Sequence, residues 1–141
     1  MKKLYLPVIL FLFFTTTSMK CYKDSANCHH TIDVVNNSPS TIYFFSTDDS
    51  TLAGMPDPNL KLRGDENKVH VNTVHHDEIA YCWETQIASS KCQAYYYYFF
   101  DASVIDNNTP WDSVIAKNLY LKKTKYTVED LHGSGRKVSY P

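Results

Sequence analysis

Six histidines and four cysteines are the side chains of this sequence best suited to chemistry, because both residue types ligate metals and both react near neutral pH. The histidines include two adjacent pairs, His29-His30 and His75-His76, with His70 and His132 standing apart. A zinc site needs three or four donors converging on one point. Neighbours in a strand point to opposite faces, so neither pair supplies two ligands from one strand. The densest cluster, His75-His76-Asp77-Glu78, has the composition of a solvated polar turn. A small hydrolase or metal-dependent enzyme would have to draw on His70, His75 or His76 with a nearby acid. The sequence has no H-E-x-x-H helix, no G-x-S-x-G elbow and no glycine-rich phosphate loop, and only 4 glycines in all. These absences favour a non-enzymatic chain, with no metal and no cofactor assigned.

The cysteines are Cys21, Cys28, Cys82 and Cys92. No C-x-x-C pair is present, which argues for disulfide chemistry over metal binding. Cys82 and Cys92 flank a turn-like Ala88-Ser89-Ser90-Lys91, so a bridge closing a hairpin is the first pairing to expect. Cys28 with either Cys82 or Cys92 is the rival, and spacing leaves the two open.

The run Tyr95-Tyr96-Tyr97-Tyr98-Phe99-Phe100 puts aromatic rings on both faces of any strand it forms. Its simplest role is a central strand with one face in a core and hydroxyls reaching water at the other. The alternative is an exposed platform, Tyr95 to Tyr98, for sugar rings or a partner protein. Arg63-Gly64-Asp65 is too short to argue from, and Asp65-Glu66 and Glu129-Asp130 read as a solvated turn and a helix start.

The elements that must position these residues are mostly short strands. Residues 29–36, 41–46, 94–100, 119–126 and 137–140 are rich in β-branched and aromatic residues. Residues 68–74 read as a half-buried strand on Val69 and Val71, with Val74 out of step. Leu60 and Leu62 suggest a strand stub, and residues 78–86 fit either a strand or a turn of helix. Thr109 is placed to cap a short helix over residues 110–118, with Pro110 at its first position and Trp111, Val114 and Ile115 at helical spacing. Thr127 to Leu131 form a capped turn that Gly133 would stop. The fold class expected is mainly β, a small β-sandwich with one short helix near residues 110–118.

The N-terminus has the build of an export signal: Lys2 and Lys3, an apolar run from Leu4 to Phe14, then a short polar exit. That run is shorter than the roughly 20 residues a membrane span requires. Ser18-Met19-Lys20-Cys21 resembles a bacterial lipoprotein box, with Lys20 where a small residue is usual. The organisation expected is a signal peptide over 1–20, a lipid-attached tether over 21–27 and one β-rich domain over 28–141, with Cys21 carrying the lipid. Ordinary cleavage, giving a secreted or periplasmic soluble protein, is the alternative. Losing Lys2, Lys3 and Lys20 leaves 11 basic residues against 15 acidic ones, a net charge of −4. Such a surface argues against a nucleic-acid partner.

The C-terminal half carries a further pattern: Phe100-Asp101-Ala102, Pro110-Trp111-Asp112, Tyr126 to Leu131 and a closing Val138-Ser139-Tyr140-Pro141. With the Asn36 to Tyr43 stretch, it resembles a group of small uncharacterised lipoproteins of Bacteroidetes, departing from it at Arg136, where that group tends to have Trp. The resemblance implies a lipid-anchored place in the cell envelope, at the outer membrane or cell surface, and implies no activity. The function expected is a binding domain held on the membrane by its N-terminal lipid, with a protein or a glycan as ligand.

Overall fold

The computed structural model describes residues 24–53 and 65–141. The signal segment, Cys21, the Leu60–Leu62 stub and Arg63-Gly64 lie outside the described residues. Among those described, no helix is long and apolar enough to cross a membrane.

Among the described residues seven strands form two sheets, with four short α-helices: a mainly β fold, as the strand count in the sequence implies. The smaller sheet has β1 (Thr31–Asn36) at its centre, with β4 (Thr73–Glu78) antiparallel on one side and β7 (Lys137–Tyr140) parallel on the other. The larger runs in the order β3 (Lys68–Val69), β2 (Ile42–Thr47), β5 (Tyr95–Asp101) and β6 (Lys122–Tyr126), antiparallel throughout. The sheets pack face to face. Between them lie Ile32, Val34 and Val138 of one, and Ile42, Phe44, Tyr97 and Phe99 of the other. At the sides of the sandwich β3 approaches β4 and β6 approaches β7, where Lys122 Nζ donates to the Ser139 carbonyl at 3.0 Å.

Strand β5 is buried on both faces. Tyr97 and Phe99 turn into the inter-sheet core, while Tyr96, Tyr98 and Phe100 turn outward into a second apolar layer with Ile105, Trp111 and Val114. That layer is built by α2 (Ala102–Asp106) and α3 (Trp111–Ala116), which lie over the outer face of the larger sheet. The structure is therefore three layers deep at β5, and a two-faced aromatic strand is what such a position requires. The cap of α3 differs from expectation: Pro110 is the N-cap and makes no side-chain cap bond, and Thr109 stays outside the helix.

The stretch from residue 68 departs from the sequence reading, whereas the helical alternative left open for residues 78–86 is met in part. Residues 68–74 are not one strand. The chain turns at 70–72, where Asn72 adopts a left-handed φ of 54°, a conformation asparagine tolerates. Strand β4 then carries His75 and Asp77 toward the other sheet and leaves Val74 exposed, reversing the usual alternation. Residues 83–89 form helix α1 (Trp83–Ser89), anchored by buried Trp83 and Ile87. Helix α4 (Val128–Gly133) has the start expected, a capping box in which Thr127 and Asp130 satisfy each other's backbone N–H groups.

Asn36 holds the first turn. It is fully buried, donates through Nδ2 to the carbonyls of Ser40, Val69 and His70, and accepts through Oδ1 from the Ser38 N–H and hydroxyl. One amide thus ties β1, the 37–40 turn and the end of β3 together.

Candidate functional site

The tyrosine platform is not present as a surface. Tyr96, Tyr97 and Tyr98 are buried and Tyr95 is half-buried, because sheet and helices cover both faces of β5. Three of their hydroxyls are bonded within the fold: Tyr97 donates to Asp77 Oδ2 at 2.9 Å, Tyr98 donates to the Ser50 carbonyl at 2.8 Å, and Tyr95 accepts from Gln86 Nε2 at 3.0 Å. Burial pushes the Tyr98 phenol up to about 12 and that of Tyr97 well above its ordinary value. The single β5 face in water that the simplest reading gives is likewise closed, by α2 and α3.

The histidines singled out for catalysis do not come together. His75 and His76 alternate on β4. His75 packs its ring 5.2 Å from that of Phe44, and this burial lowers its pKa. His76 faces outward to Asp33 at 2.8 Å. His70 is exposed in the turn before β4.

A different set converges where the start of the domain meets α1 and α4. Cys28 is bridged to Cys82, with Cα atoms 4.8 Å apart. This is the rival pairing. The Cys82–Cys92 bridge cannot close a hairpin because α1 occupies the intervening chain, and Cys92 is unbridged and exposed. Residues 24–27, expected as tether, fold back instead: Ser25 and Cys28 exchange backbone hydrogen bonds, Asp24 Oδ1 accepts the His30 N–H at 2.8 Å, and Asp24 Oδ2 pairs with Arg136. Arg136, the departure from the lipoprotein pattern, thus has a partner at the other end of the domain.

The bridge presses His29 against the first turn of α1. The Glu84 Oε2 atom accepts the His29 backbone N–H at 2.9 Å, and the His29 carbonyl accepts the Trp83 N–H at 2.7 Å. His29 Nδ1 touches Glu84 Oε1. From α4, His132 brings Nε2 to 3.5 Å from the same oxygen, its ring edge-on to that of His29. Burial works to raise the pKa of Glu84, but the His29 N–H and imidazole outweigh it and hold the carboxyl below its usual value. The sequence holds little trace of this set: Glu84 lies 55 residues from His29, and only the pairing of Cys28 with Cys82 would have predicted the contact.

Over the outer face of the larger sheet, the second apolar layer leaves a cleft of about 300 Å³. Tyr98 and Tyr120 line it, 5.3 Å apart and edge to face, with Asn118, Ile115 and the 50–53 loop around them. Lys123 closes one side, lying 4.7 Å over the Tyr96 ring and reaching the Ser50 carbonyl.

No family model, curated protein or solved structure matches the chain.

Proposed function

We propose that this chain is a non-enzymatic binding domain of the cell envelope, lipid-anchored at Cys21 after removal of a signal peptide, with the Tyr98–Tyr120 cleft as its ligand site. The observation that carries the reading is the Cys28–Cys82 bridge. Such bonds persist in oxidising compartments, outside the cytosol. This one fastens the chain to the fold seven residues past Cys21, so an acyl anchor there would hold the domain close to the membrane. The resemblance to small Bacteroidetes lipoproteins supports the same location, at the outer membrane or cell surface.

The cleft favours a glycan over a protein ligand. It pairs the half-buried ring of Tyr120 with the polar side chains of Asn118 and Thr51, a combination that suits a sugar's apolar face and hydroxyl rim. Two measurements test the proposal. Cys21→Ala should move the protein from the membrane to the soluble fraction, and unchanged membrane association would refute the anchor. A glycan array probed with the wild type and with Tyr120→Ala should show binding that the variant loses. No binding, or binding indifferent to Tyr120, would refute the ligand site.

A further inference from the structure

The geometry points to a divalent transition-metal site, of the kind zinc fills, formed by His29 Nδ1, Glu84 Oε1 and His132 Nε2. This inference is independent of the cleft and of the anchor. The three donor atoms come from the N-terminal segment, α1 and α4, and all lie within 4.8 Å of one another. Tetrahedral zinc, with bonds of about 2.0–2.1 Å, holds its ligand atoms roughly 3.3 Å apart. The His132–Glu84 separation of 3.5 Å already meets that spacing. His29 and Glu84, which touch, must part slightly, and His29 Nδ1 and His132 Nε2, within 4.8 Å of each other, must reach the same spacing, movements that side-chain rotation supplies.

Two imidazoles and one carboxylate select zinc over calcium or magnesium, which prefer oxygen donors alone. The carboxylate is oriented for the task. Its Oε2 atom is occupied by the His29 N–H, so Oε1 is the oxygen left to face the imidazoles. Metal sites use supporting hydrogen bonds of this kind to fix their ligands. The surroundings differ by ligand: the His29 and Glu84 side chains are 16 % and 15 % exposed, His132 46 %. The fourth coordination position therefore opens to solvent on the His132 side, where water or a side chain from another molecule would complete the shell. A second group, Cys28, His30 and Cys82, lies alongside, but its thiols are consumed by the disulfide.

The test is zinc titration by calorimetry of the untagged full chain carrying Cys21→Ser and Cys92→Ser, with the Cys28–Cys82 bridge intact. These substitutions remove the thiols that would bind zinc elsewhere. The expected result is one zinc per chain, with affinity weakened at least about tenfold by Glu84→Gln and by His132→Ala. His132 is half-exposed, so its removal leaves the fold intact and decides the matter if the Glu84 variant misfolds. In a parallel measurement, zinc should shift the imidazole nitrogen resonances of His29 and His132 and leave those of His70 and His76 in place. Absence of zinc binding, equal binding by the His132 variant, or shifts confined to other histidines would overturn the assignment.

Discussion

At the scale of single residues, the informative positions are polar groups turned inward. Asn36 satisfies three carbonyls and two donors of Ser38, and it is the side chain that bonds the buried Val69 carbonyl. Asn36→Ala should cost about 2–3 kcal/mol in urea unfolding, since several buried partners lose their bonds at once. Asp77 is a different case. It faces the core beside Tyr97, and burial raises its pKa against the opposing bonds from Tyr97 and Ser46. A carboxyl whose folded pKa lies above its unfolded value of 3.8 holds its proton more tightly when folded. Its favourable contribution is complete below pH 3.8 and is lost as pH rises through the folded value. Asp77→Asn, which keeps an acceptor for Tyr97, should be more stable than wild type at neutral pH, with the difference vanishing in acid. Thermal unfolding across that range would show it, and a constant difference would contradict it.

At the scale of elements, what could be read from the sequence depended on whether a local signal matched its surroundings. The run from Tyr95 to Phe100 announces a strand in any context. The sequence could not show that α2 and α3 would cover its outward face, because that face is closed by residues beyond the strand, such as Trp111 against Phe100. Thr127 and Asp130 form their capping box from four consecutive residues, and that start was legible for the same reason. Strand β4 was not: its inward residues are His75 and Asp77, which a periodicity argument places outside. The candidate metal ligands were hidden most deeply, since their convergence depends on which cysteine Cys82 chooses. The role given to β5 has a direct consequence. Phe99→Ala, deleting a fully buried ring from the inter-sheet core, should cost about 3–5 kcal/mol, measured by denaturant unfolding.

At the scale of the whole molecule, the Cys28–Cys82 bridge and the Asp24–Arg136 pair close the N-terminal segment onto the body of the domain. The bridge spans 54 residues, and a loop of that length corresponds to about 4 kcal/mol of unfolded-state entropy. Reduction, or Cys28→Ser with Cys82→Ser, should lower stability by that order and release His29 from Glu84. Under the proposed anchoring the same bond would connect fold to location, since disulfides persist in oxidising surroundings. Intact mass analysis of the protein isolated from its own cells tests this most directly. The account predicts a chain beginning at an acylated Cys21, with Cys28 and Cys82 joined and Cys92 free. A cytosolic chain that retains Met1 and carries four reduced thiols would contradict it.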